Sequence, residues 1–433
     1  KERSVGNANR SLIHHLFFFC SFFIRKGVAD MGKKDLGLNV HYSLIHIAYW
    51  CVMAAATLYV VPLLRAKGLT ESQIGVTLSV KYVASILSQI GISYFADRYP
   101  RVITLKRILI ALCMLCLPMT LYFYLSEGSF VKSIVMLAIF GCCVNGATAY
   151  VNAIATRFTD AGRKVYYSYA RGLGSIAWGI ASVVISYIVD NTHVEVILVV
   201  QAVMSIAMMI AVATLEPVPQ TVKEEKEDHS HSYGYLFRQY PAFVFFLLSS
   251  MLLFMGYTLQ TVFLVDIITH VGGGNPELGY VEMVQSVCEL LPAVLYVMIA
   301  KKLSTTNILR LSAVSGFLMV FCVMIAQNVW HVILLQIFDI WGFGMYWPVS
   351  VEYVYQTIDK NDWTKGQALI SACSIGAGGI IGSLFGGTVM QVAGIEGLLR
   401  ISTILALVGV AFMMIAMKLS DKQKNGEREV TVV

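Results

Sequence analysis

Again and again along this chain, an apolar run of about twenty residues ends in a short polar break. A run of that length is what a helix needs to cross a bilayer core of about 30 Å. Hydrocarbon offers no partner to a free backbone N–H or C=O, so a spanning segment must satisfy its own hydrogen bonds. Composition agrees: 57% of the 433 residues are hydrophobic and 13% are charged, about half the charged share of a soluble domain. The pattern predicts an all-α membrane protein.

The expected spans are 41–64, 74–95, 104–125, 130–151, 170–189 and 194–215, then 241–267, 279–300, 307–326, 331–353, 368–392 and 397–417. Six helices, a polar linker at 216–240 and six more helices divide the chain into 41–215 and 241–418. An N-terminal segment, 1–40, precedes them and a tail, 419–433, follows. Placing residues 31–39 in the cytoplasm puts twenty-two Lys and Arg from residue 31 onward on that side, against Arg65, Lys67, Lys132 and Arg400 on the other. Loop Lys and Arg favour the cytoplasmic face, so both termini are expected there, in a bacterial inner membrane.

The net charge of +6 raises the possibility of a nucleic-acid partner, but the basic residues are scattered over short loops and form no stripe. The nine cysteines lie in apolar runs and are read as packing residues, including the CxxC of Cys113 and Cys116. No metal or cofactor is expected. Residues 1–30 are read as translated leader or cloning sequence ahead of Met31-Gly-Lys-Lys. The mixed-charge stretch containing His229 and His231 is read as a solvated hinge, and the tail from Ser420 as disordered.

Charge inside a span is costly, about 2.5–3.5 kcal/mol on insertion scales, and so faces a cavity or a partner. The deep charged residues are Lys81 in the second span, Glu282 and Glu289 in the eighth and Asp339 in the tenth; Asp266 and Glu352 lie nearer span ends. Glu282 and Glu289 are seven apart and share a helix face, with Gln285 between them and Pro292 beyond. Carboxylates in such a setting suit a proton relay, so Glu289, Asp339 and Glu282 are the expected proton-coupling groups. Lys81 is expected to pair with one of the three.

Amides and aromatic rings within the spans suit a hydroxyl-rich or ring-shaped solute. The expected solute-binding set is Tyr49, Trp50, Gln89, Asn145, Trp178, Tyr257, Gln260, Gln285, Gln336, Trp341 and Tyr346, with Asn152 and Trp347 beside them. Glycines at 172, 174 and 179 in the fifth span and at 378, 382 and 386 in the eleventh allow close helix approach, which tight static packing explains as well as the sliding gates they are read as.

The loop Tyr94-Phe-Ala-Asp-Arg-Tyr-Pro-Arg101 resembles the Gly-x-x-x-Asp-Arg-x-Gly-Arg motif of the major facilitator superfamily, with Ser93 and Pro100 at its glycine positions. The resemblance implies Asp97, Arg98 and Arg101 as a cytoplasmic charge latch. Residues 64–75, 169–179, 287–292 and 336–344 resemble the branch of lactose-permease-like and nucleoside-proton-symporter-like proteins. That resemblance, over 41–417, implies two pseudo-symmetric six-helix bundles and secondary active transport by a monomer. It matches Glu289 to a recurrent glutamate, Arg171 to a basic position, and Asp339 to a position often occupied by histidine.

The sequence therefore points to proton-coupled symport of a sugar, a nucleoside or a similar metabolite. Proton-driven efflux of amphipathic compounds and a non-transporting membrane sensor are the other readings. An enzyme would need nucleophile, base or metal ligands gathered at one depth, and none is evident. No phosphate-binding glycine loop for ATP is present either.

Overall fold

The computed structural model describes residues 35–99, 102–219 and 231–431, and every regular element among them is helical. The reading of residues 1–30 as a leader, His229, and Arg101 of the latch motif lie outside the described residues.

Each expected span corresponds to a helix or an interrupted helix. The first is Leu36–Thr57 continued, after a 42° bend, by Val60–Ala66. The second, third, fifth and sixth are Glu71–Arg98, Leu105–Leu125, Tyr167–Asp190 and Val196–Thr214. A π-helical turn, Gly141–Asn145, interrupts the fourth between Phe130–Phe140 and Ala147–Asp160. The seventh is Pro241–Val262 with Leu264–His270, the eighth Asn275–Ile299 and the ninth Thr305–Met324. The tenth runs Val329–Leu335, a 3-10 turn Gln336–Ile340, and Phe343–Thr357. The eleventh begins as Trp363–Ser371 and a π turn, Ala372–Gly378, and enters Gly379–Thr431, whose remainder is the twelfth. Gly394, at φ 63°, separates the two.

By length and apolarity alone, nine helices among the described residues could cross a membrane, ten if the bent first pair is one span. The stretch Lys360–Gln423 counts once, though its 64 residues suffice for two crossings. The eighth is not among the nine; its 25 residues carry Glu277, Glu282, Gln285 and Glu289.

Local chemistry sets several boundaries. Thr70 and Gln73 cap the second helix reciprocally: Thr70 Oγ1 accepts from the Gln73 N–H at 3.4 Å, and Gln73 Oε1 accepts from the Thr70 N–H at 3.0 Å. Ser304 and Asn328 cap the ninth and tenth in the same way from one side. Aromatic cores fill each half, around Tyr42, Tyr49 and Phe123 in the first and Phe243, Phe246 and Tyr353 in the second.

The halves meet along two helix pairs, the fifth on the eighth and the second on the eleventh. Both crossings are tightest at the end remote from the termini, where only glycine allows the backbones to approach. A Cβ on Gly279 would lie 2.7 Å from Val183 Cα, and one on Gly75 would lie 2.7 Å from the Ser383 carbonyl oxygen. The same end holds hydrogen bonds between halves: Tyr59 to the Asn275 carbonyl at 3.3 Å, Tyr187 with Tyr280 at 2.5 Å, and the Ser72 N–H to Gln391 at 3.0 Å.

Two expectations are corrected here. Gly378, Gly382 and Gly386 face Phe254, Thr258 and Leu259 of the seventh segment, and so tighten the second half from within. Gly174 makes room for the Trp50 ring; of the six glycines read as gates, Gly179, against Met283 and Ser286, lies on a contact between halves. The tail is also not irregular beyond Ser420, because the last helix continues to Thr431. Ser420 bonds Tyr353 at 2.7 Å and Arg310 bonds Asp421 at 2.5 Å, anchoring the turn from which it extends. The linker is likewise fastened where it rejoins the bundle: the His231 ring is 2.8 Å from the buried Asp362 carboxylate.

Candidate solute site

Between the halves, on the termini side of the tight end, lies a cavity of about 180 Å³. Trp50, Arg171, Ser175 and Trp178 line it from the first half, and Glu282, Gln285, Ser286 and Glu289 from the second. Helical spacing explains both sets. Arg171, Ser175 and Trp178 fall at i, i+4 and i+7 on the fifth segment, and Glu282, Gln285 and Glu289 at i, i+3 and i+7 on the eighth. The two stripes face each other because these two helices form one of the contacts between the halves.

Hydrogen bonds fix the floor and one wall. The Trp178 indole N–H donates to Glu282 Oε2 at 2.9 Å, across the two halves. Gln285 Nε2 donates to the Tyr257 hydroxyl at 2.5 Å, and reaches Glu289 Oε1 at 3.4 Å. Opposite, the Arg171 guanidinium sits 4.0 Å over the Trp50 ring and donates to Ser175 Oγ at 2.6 Å. The Trp50 and Trp178 rings meet edge to face, 5.9 Å apart. The Trp50 N–H has no hydrogen-bond partner among the described residues.

The acids differ in setting. Glu289 is solvent-accessible on the cavity wall, whereas Asp339 is fully buried and forms no side-chain hydrogen bond among the described residues. Asp339 lies in the 3-10 turn of the tenth segment, which packs on the eighth, the segment that carries Glu289.

Other residues of the expected set sit elsewhere. Tyr49 bonds the Val144 carbonyl at 3.3 Å and also Thr148, within the first half. Gln260 donates to the Val320 carbonyl at 2.9 Å and to Ser402 at 3.0 Å, tying the seventh segment to the ninth and twelfth. Tyr346 donates to Ser250 at 2.7 Å inside the aromatic core of the second half, where Trp341 also packs. Gln336 donates to the Val332 carbonyl at 3.1 Å and Gln89 to Ser85 at 3.3 Å, each on its own segment. Asn145 lies in the π turn of the fourth segment, its side-chain oxygen buried and without a hydrogen bond among the described residues. Asp97 is in the last turn of the second helix, and the exposed Arg98 beside it lies 6.0 Å from the Tyr99 ring.

Lys81 is not brought to any of the three acids. It is 3% exposed, and no carboxylate among the described residues lies within 4.0 Å of its ammonium. Its turn packs on Gly141 of the fourth segment, inside the first half. The basic residue on the wall opposite the carboxylates is Arg171. Its i, i+7 register with Trp178 puts the two on one face of the fifth segment.

The model of the MFS_1-like family matches residues 39–400. The chain belongs to that family. This MFS_1-like protein has the fold of solved transporters: the nucleoside transporter NupG superposes with a TM-score of 0.73 at 14% identity, covering 88% of this chain and 98% of that one. A bacterial homologue of the human lysosomal transporter Spinster, in an inward-facing and unoccupied conformation, superposes with a TM-score of 0.63 at 13% identity, covering 90% and 98%. No curated protein sequence matches significantly. Family and fold are those of a multi-pass membrane transporter, not of an enzyme.

Proposed function

We propose that this MFS_1-like protein is a proton-coupled symporter of a small polar, ring-bearing solute of the nucleoside class. One central site would alternate in access between two rocking halves. The observation that carries the reading is the composition of the cavity: two indoles and a guanidinium offer flat surfaces to a base, while Ser175, Glu282 and Gln285 offer partners to hydroxyls. That a structural neighbour is a nucleoside transporter supports the choice of solute within sugars, nucleosides and similar metabolites.

Glu289 and Asp339 are proposed as the proton pair, with Glu282 as the acid fixed to the first half by Trp178. Glu289 meets the cavity and Asp339 is enclosed in the turn that packs on the same helix, an arrangement suited to passing a proton between an accessible and an enclosed carboxylate. Protonation would couple to the solute by favouring one orientation of the halves, 41–215 and 241–418. The chain is proposed to act as a monomer, with both termini in the cytoplasm of a bacterial inner membrane.

Reconstituted vesicles test this with labelled uridine and an imposed pH gradient. Wild-type protein should accumulate uridine, and Glu289→Gln should lose gradient-driven accumulation while keeping uridine exchange. Full accumulation by Glu289→Gln rejects the proton role, and a wild type that neither exchanges nor accumulates any of a panel of nucleosides rejects the solute class.

A further inference from the structure

At the tight end of the interface a single arginine holds two carboxylates, one from each half. Arg65 Nε and Nη2 donate to Glu71 at 2.6 and 3.0 Å, and Nη1 and Nη2 donate to Asp266 at 2.6 and 3.0 Å. Arg65 and Glu71 are six residues apart in the first half, across the turn joining the first two segments, whereas Asp266 belongs to the end of the seventh. All three side chains are partly shielded, at 29%, 23% and 17% exposure. Bidentate pairing of this kind fixes direction as well as distance.

We propose that Arg65 is a one-sided latch of the closed end: Glu71 keeps hold of it in every state, and only the bond to Asp266 breaks when the halves part there. The proposal rests on the alternating-access reading above, yet concerns a different part of the molecule. Its logic is competition for one cation. With Glu71 present, opening leaves Arg65 still paired, so the open state loses one ion pair and not a guanidinium's whole partnership. Glu71 thereby weakens the latch that Asp266 makes. The two carboxylates touch the same arginine and must act in opposite directions on the equilibrium.

Ser186 gives a reporter for that equilibrium. It is fully buried at the same end, accepts from the Tyr59 hydroxyl at 3.0 Å and lies against Gly279 of the other half. In nanodiscs, Ser186→Cys would be alkylated by a hydrophilic maleimide when the end opens, with the parent protein setting the background from native cysteines. Adding Asp266→Asn should raise the alkylation rate about two- to fivefold, and adding Glu71→Gln should lower it by a similar factor. Raising salt should speed alkylation of the reporter protein itself, and this measurement stands even if a variant fails to fold. Equal increases with both neutralisations, or a rate indifferent to both and to salt, overturn the latch. Because no solute or proton gradient enters the assay, its failure is distinct from failure of the symport reading.

Discussion

Trp178 and Glu282 join the two halves of the protein through one hydrogen bond, 2.9 Å long, at the floor of the central cavity. Trp178→Phe removes the donor and keeps most of the ring. A hydrogen bond contributes about 0.5–1.5 kcal/mol, so uridine binding should weaken about two- to tenfold. Isothermal titration of purified protein measures this, and unchanged affinity would show that the bond does not shape the site.

Arg171 is held over Trp50 by planarity as well as by charge. Lysine carries the charge without the plane or the fork of donors, so Arg171→Lys should bind uridine several-fold more weakly than the wild type, not equally well. Trp50→Leu should impair binding in the same direction. A lysine variant with wild-type affinity would remove the stacked guanidinium from the account.

Lys81 has no acid beside it among the described residues, which gives a clear expectation for double variants. Effects of Lys81→Met and of Glu289→Gln on thermal stability should add within about 0.5 kcal/mol, as they do for groups without a shared contact. The same additivity should hold with Glu282→Gln and Asp339→Asn. Rescue of a Lys81 variant by neutralising any one of them would restore the ion pair that the sequence suggested.

Gly279 sits where a methyl group would strike the Val183 backbone, 2.7 Å away. Gly279→Ala should therefore push the fifth and eighth segments apart and cost about 1–3 kcal/mol in the closed-end form. Gly37→Ala, where nothing lies within 4 Å, is the control. The reading is a lowered Tm for the first variant and not for the second; equal Tm values would mean the crossing can relax.

Much of this architecture is written in linear patterns. Apolar runs of bilayer length dictate helices, because hydrocarbon leaves backbone groups no alternative. The i, i+3, i+7 stripe of Glu282, Gln285 and Glu289 survives folding as a shared wall, since helix periodicity alone puts those residues on one face. Trp50 and Trp178 also line that cavity.

What only the tertiary structure decided is which faces meet. Tyr49, Gln260 and Tyr346 look like solute ligands in a list of residue types, but they spend their hydrogen bonds on carbonyls and hydroxyls of their own half. Lys81 required a counter-charge on local grounds, yet its backbone packs on Gly141 of the fourth segment, and Arg171 is the base opposite the carboxylates. Arg65, Glu71 and Asp266 are separated by up to 201 residues, and nothing in their spacing announces a shared guanidinium. Periodicity fixes a side chain's angle about its own helix axis; the rotation and tilt of that helix against its neighbours come from packing, which no single segment encodes.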